Sequence, residues 1–132
     1  MQIISNNPKV KEQISQCPVI FVDGTFEEVL QQTYKKIVED HHVMLTHPLS
    51  SSIKPNETYY KSIIITTTTQ SQIDYESLEL IENALATHEK FNKDKRTPQW
   101  TDQILEDFAT IDLDLMESTL QRIRFSPEIR FN

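Results

Sequence analysis

Val19-Ile20-Phe21-Val22-Asp23-Gly24-Thr25-Phe26-Glu27-Glu28-Val29-Leu30 is the stretch that decides the class of fold. Its first four residues form a continuous apolar, mostly β-branched run, the pattern of a strand covered on both faces. Asp23-Gly24 stops that run. Thr25 can then cap a helix, and Glu28 three residues later completes a capping box. Phe26, Val29, Leu30, Ile37 and Val38 fall on one apolar stripe, with Tyr34 filling the middle turn. A buried strand turning sharply into an amphipathic helix is half of a βαβ unit.

The flanking sequence extends the pattern. Upstream, Ile3 and Ile4 read as a short buried strand closed by Asn6-Asn7-Pro8, and Val10 and Ile14 sit four apart on a short helix over 8–15. Downstream, Val43-Met44-Leu45 reads as a third strand ending at Thr46-His47. Strand and helix in short alternation predict a parallel sheet with right-handed crossovers. A fourth strand, Ser62-Ile63-Ile64-Ile65-Thr66, follows a long polar loop. With no helix between, it is free to run antiparallel to the third, and a parallel course would need the loop itself to cross over.

Helices occupy the remainder. Asp74 caps one carrying Leu78, Ile81, Leu85 and His88, with Ile73 placed to staple onto Leu78. Pro98 opens another whose inner face is Trp100, Ile104, Leu105 and Phe108. Asp112 restarts a last helix through Leu115, Met116, Leu120 and Ile123. The expectation is one α/β domain over 1–132, with a short, mostly parallel sheet of about four strands packed by helices. Its C-terminal half is helical, and 124–132 is a flexible or atypical tail.

The 132 residues suit one domain with its own core. Charged residues make up 25% and hydrophobic ones 37%, a globular balance. A net charge of −7 works against nucleic acid and anionic membrane as partners. The basic run Lys90-Phe91-Asn92-Lys93-Asp94-Lys95-Arg96 reads as a solvated helix end, where cations complement the dipole. Cys17 is the single cysteine, which implies a reducing compartment. The start of the chain lacks a signal-peptide pattern, and no window approaches ~18 apolar residues. A cytoplasmic location is expected.

Open parallel sheets bind ligands beyond the carboxyl ends of their strands. Those ends carry Asn6-Asn7, Asp23-Gly24-Thr25 and Thr46-His47, all polar. The helix starting after Thr25 would aim its free N–H groups at the same edge, which favours an anion. The loop from Pro48 to about Lys61 exceeds the ~12–15 residues usual for an unstructured connection. Pro48 and Pro55 stiffen it, and Leu49 and Ile53 can pin it. Ser50, Ser51, Ser52, Lys54 and Asn56 offer hydroxyls, a cation and an amide to a phosphate or carboxylate, and His47 adds a group titrating near neutrality. Ser, Asn and Pro are also ordinary turn formers, so the loop has a plain reading beside the functional one.

Other candidates read as structural. Gly24 is the sole glycine, which rules out a dinucleotide fingerprint and a Walker loop, and no cofactor is expected. Asp40-His41-His42 diverge at a helix end, where histidine complements the dipole, so no metal site is expected. His88 reads as a partly buried, satisfied histidine and Trp100 as core. Asp112 and Asp114 read as capping residues, and nothing near Cys17 argues for a reactive thiol.

Asn6-Asn7-Pro8, Thr46-His47-Pro48-Leu49-Ser50, Lys54-Pro55-Asn56-Glu57-Thr58 and Lys61-Ser62-Ile63-Ile64 resemble the GrdX family, as do Thr97-Pro98, Trp100-Thr101 and Leu105-Glu106-Asp107-Phe108. The resemblance runs from about Ile3 to Leu115, with Ser51 standing where the pattern expects glycine. It implies a cytoplasmic accessory role beside glycine, sarcosine and betaine reductase systems of anaerobic bacteria, and transfers no catalytic residue. Three readings follow. The first is a pocket for an anionic small molecule built from Asn6, Asn7, Thr25, His47, the serines, Lys54 and Asn56. The second is a loop contacting a reductase-complex protein through Leu49, Ile53, Tyr59 and Tyr60. The third is a small enzyme using His47 as acid or base.

Overall fold

Ile3 and Ile4 are both fully buried, on opposite faces of the first strand, and that alternation sets the layers. The computed structural model describes residues 1–48, 59–94 and 100–125. Its elements are β1 (Gln2–Ser5), α1 (Pro8–Gln13), β2 (Val19–Phe21), α2 (Phe26–Val38), β3 (Ser62–Ile65), α3 (Tyr75–Asp94) and α4 (Asp102–Phe125). The sheet order is β2-β1-β3. β1 and β2 run parallel, with Ile3 opposite Val19. β3 runs antiparallel to β1, with Ile4 opposite Ile63 and Ser5 opposite Ser62.

One face of the sheet presents Ile4, Ile63 and Ile65 to Phe26, Val29, Leu30 and Ile37 of α2 and to Ile81 and Ala84 of α3. The other presents Ile3 and Ile64 to Val10 and Ile14 beside α4 residues Leu113, Met116, Leu120 and Ile123. Each such side chain contributes about 1.5–3 kcal/mol on burial, so the helix–sheet–helix sandwich rests mainly on these two clusters.

Local chemistry fixes the helix starts. Asn7 caps α1 by accepting from the Lys9 amide, with Pro8 at the first helical position. The capping box of Thr25 and Glu28 opens α2 as expected. Asp74 Oδ2 accepts from the Ser77 amide at 3.1 Å and opens α3. Ile73 and Leu78 both pack against the α2–α3 core. His88 is buried and its ring stacks on Phe26 at 5.2 Å.

Four expectations are corrected. The sheet has three strands, because Val43-Met44-Leu45 makes only one isolated antiparallel bridge, Met44 to Ile65. On either side of that bridge one backbone bond forms, Leu45 N to Ile64 O and Thr66 N to Val43 O, each at 2.8 Å. The returning bonds are lost to hydroxyls: Ile64 N donates to Thr46 Oγ1 at 3.1 Å and Val43 N to Thr66 Oγ1 at 3.0 Å. Threonine side chains compete here with the ladder and stop the strand from propagating.

The helix expected from Pro98 begins instead at Asp102, capped by Thr101 Oγ1, which accepts from the Ile104 amide at 3.3 Å. Pro98 lies outside the described residues, and half-buried Trp100 sets its ring edge-on to Phe108 at 5.1 Å. The break expected at Asp112 is absent, since α4 runs unbroken through it. Leu115, assigned to the inner face, is 39% exposed, because the core face of α4 follows Ala109, Leu113, Met116, Leu120 and Ile123.

Candidate functional site

Just beyond the last residue of β1, Asn6 holds three segments together. Its Nδ2 donates to Gly24 O at 3.1 Å and to Tyr59 O at 2.9 Å, while its Oδ1 accepts from the Lys61 amide at 2.9 Å. Two of the three polar strand tips therefore meet, and the stretch leading into β3 joins them. At the third tip, Thr46 is buried with its hydroxyl on the Ile64 amide. His47 is half-buried and feels the charge of Lys61.

Thr25 is exposed at the start of α2. Its Oγ1 accepts from the Glu28 amide at 3.2 Å and Glu28 Oε1 accepts from the Thr25 amide at 3.3 Å, so this helix end is capped from within. A Cβ at Gly24 would lie 2.5 Å from Glu28 Oε2, so the flexible glutamate carboxylate would have to shift to admit it. Ser50, Ser51, Ser52, Lys54 and Asn56 lie outside the described residues.

Asn7 begins a second, deeper network. It is fully buried; its amide donates to Ser5 Oγ at 2.9 Å, and its Nδ2 donates to Ala109 O at 2.8 Å and Asp112 Oδ2 at 3.0 Å. Ser62 Oγ donates to the same Asp112 oxygen at 2.6 Å. Ser5 and Ser62 hydroxyls are 2.7 Å apart. Because the single Ser62 proton goes to Asp112, Ser5 is the donor between the serines. The chain runs Asn7 N–H, Ser5, Ser62, Asp112, with every proton pointing toward the carboxylate.

Sequence reasoning left Ser5, Lys61 and Ser62 out of the site and read Asp112 as a capping residue. Lys61 is 6% exposed, and burial pushes its ammonium down to about 8, with Asp112 opposing that shift. Burial pushes the Asp112 carboxyl up, against the hydrogen bonds of Ser62 and Asn7 and the charge of Lys61. Desolvation and then Lys61 hold His47 below its ordinary range, so its imidazole is neutral at pH 7. A signal was present for both charged residues: Asp112 interrupts the apolar face of a helix, and Lys61 immediately precedes an Ile-rich strand.

Beside this network a cleft of about 270 Å³ opens between the first turn of α1 and the start of α4, lined by Pro8, Lys9, Tyr60, Leu105 and Glu106 among others. Lys9 Nζ and Glu106 Oε1 pair across it at 3.3 Å. Tyr59 is 39% exposed and meets Tyr60 edge-on at 5.2 Å. Among the described residues, no group of three or more His, Cys, Asp or Glu side chains is placed to hold a metal ion. No described helix is long and apolar enough to cross a membrane.

The fold and this edge define a small three-layer α/β protein with a buried acid–base network at the carboxyl end of its central strand. The chain belongs to the GrdX-like protein family, whose model matches residues 2–121. Comparison with curated proteins and with solved structures gives no match.

Proposed function

We propose that this protein is a cytoplasmic accessory factor of glycine reductase-type amino-acid metabolism that binds a small anionic metabolite at the carboxyl edge of its sheet. Membership of the GrdX-like family supports the metabolic setting. The observation that carries the binding reading is Lys61, a buried cation beside Asp112 and neutral His47 where open α/β sheets take their ligands. Lys54 and the serines of 50–52 belong to the same proposed site by sequence. Calorimetric titration with lactate and phosphate tests it. Binding should weaken at least tenfold in Lys61→Met and in Lys54→Ala, and equal, very weak binding by all three proteins would refute it.

A second reading is favoured by exposed Tyr59 and half-buried Tyr60, an aromatic corner at the cleft. Aromatic side chains are enriched where proteins meet. On this reading the partner is a reductase component, and affinity capture from a producing anaerobe should lose it when Tyr59 is changed to Ala. Retention would count against the interaction. A third reading, His47 as an acid or base, gains from its neutral imidazole.

A further inference from the structure

Asn6 and Asn7 between them space the walls of the cleft at the end of β1. Asn7 Oδ1 accepts from the Lys9 amide at 3.0 Å and its Nδ2 donates to Ala109 O at 2.8 Å, so one fully buried side chain sets α1 against α4. Asn6 holds the residues on both sides of Tyr60, through Tyr59 O and the Lys61 amide, each at 2.9 Å. Lys9, Ala109 and Tyr60 all line the cleft, so the fold fixes its width before any ligand arrives.

Across this space Lys9 Nζ and Glu106 Oε1 stand 3.3 Å apart. Glu106 is exposed, and an ion pair so placed contributes little to the fold. Asp102 adds a second carboxylate to the lining, while Leu105 and Ala109 give it an apolar wall. The volume of about 270 Å³ lies under the ~300–1,000 Å³ usual for drug-sized ligands, so the cleft suits a small occupant.

We propose that this cleft binds small α-amino acids as zwitterions. The ligand ammonium lies toward Glu106 and Asp102 and its carboxylate toward Lys9, so that its charges alternate with those of the fixed pair. A simple carboxylate would meet Lys9 but face two like charges, and a simple amine would meet the carboxylates but face Lys9. Length selects among zwitterions. Bonds of ~1.46 and ~1.52 Å at ~111° put an α-amino nitrogen about 2.5 Å from its carboxyl carbon. That short spacing suits a pair 3.3 Å apart, and a longer chain between the charges overreaches it. Burial, then the neighbouring Tyr59 and Glu106, push the Tyr60 hydroxyl up, so it keeps its proton and is a donor for the ligand carboxylate. Lys61 is not among the described residues lining the cleft, so this site and the anion reading stand independently.

Titration of the full chain with L-alanine, followed by backbone amide NMR signals, tests the proposal. Propionate and ethylamine each carry one of the two charges, and 4-aminobutyrate holds both at a longer spacing. The expected result is saturable shifts at Lys9, Tyr60 and residues 105–109 with L-alanine, and binding about tenfold weaker or worse with each of the other three. Lys9→Met and Glu106→Gln should each weaken L-alanine binding about tenfold with the rest of the spectrum unchanged, since the exposed pair contributes little to folding. Lys35→Met should bind as the parent does. Propionate or ethylamine binding as well as L-alanine would overturn the zwitterion, and 4-aminobutyrate doing so would overturn the α-amino acid class. If lactate binds and L-alanine gives no saturable shift, the cleft proposal fails and the anion reading stands.

Discussion

Asn7 Nδ2 donates to Asp112 Oδ2 at 3.0 Å, joining the cap of α1 to the middle of α4 across 105 residues of sequence. The same amide side chain accepts from Lys9 N at 3.0 Å and donates to Ala109 O at 2.8 Å. One residue therefore sets both the start of the first helix and the position of the last.

Asn7→Ala should cost about 2–4 kcal/mol, combining a lost helix cap with buried acceptors left without donors. Urea denaturation would measure it. Asn7→Asp should recover the cap but not the Asp112 contact, where two carboxylates would face each other, so it should remain well below the parent protein.

Asp112→Ala should destabilise by roughly 3 kcal/mol or more, because Ser62 Oγ and Asn7 Nδ2 lose their acceptor and the Lys61 charge loses its nearest opposite. Asp112→Asn keeps one acceptor oxygen and should cost less. Comparing the denaturation midpoints of the two variants separates the hydrogen bonds from the charge.

Lys61 gives stability a distinct pH dependence. Below about 8 the folded and unfolded chains both carry the ammonium, and the cost of burying it is fully present. From about 8 up to the ordinary lysine value of 10.5 the unfolded chain holds a proton that the folded chain has released, so stability rises with pH. Burial pushes the Cys17 thiol and the Tyr60 hydroxyl up, which works in the opposite sense at high pH. The difference between the parent protein and Lys61→Met isolates the lysine, and its slope should be positive between pH 8 and 10. A flat difference would contradict the buried ammonium.

His47 should titrate below its ordinary 6.5 in NMR spectra. In Lys61→Met its midpoint should move up yet stay below 6.5, since desolvation is the larger cause and Lys61 the smaller. No movement would separate the two residues.

Met44 N donates to Ser77 Oγ at 2.9 Å inside the core, where Met44 is fully buried. Ser77→Ala should leave that amide unpaired and cost about 1–3 kcal/mol in a denaturant titration. A neutral result would mean that the Val43–Leu45 segment shifts to find another acceptor.

The legible parts of this protein were the local ones. The run from Val19 to Val22 and the Thr25–Glu28 capping box carry their structure in adjacent residues, as does Asn7-Pro8 at the start of α1. Val43-Met44-Leu45 has the composition of a strand, but two threonine hydroxyls, one of them 23 residues from Val43 at Thr66, take the amides that would extend it. Asp112 looks like a cap because aspartate in mid-helix is ordinarily unfavourable. Only Asn7 and Ser62, far off in sequence, offset that cost, and no periodicity reports them. The same holds for the candidate site: its polar tips were visible, while the approach of Asp112 to Ser62 and to the charge of Lys61 depends on how α4 lies against the sheet.

β1 is the middle strand, yet its neighbours are made at very different times. β2 follows after one short helix, whereas the Ser5–Ser62 pair closes a span of 57 residues. A ribosome adding ~5–20 residues per second leaves the β3-facing edge of β1 without its partner for several seconds after β2 has been synthesised. An unpaired strand edge is a template for wrong partners, and closing so long a span is slow. The vulnerable interval in this protein's biogenesis is therefore set by strand order, and it ends when Ser62–Ile65 emerge to pair with the open edge of β1.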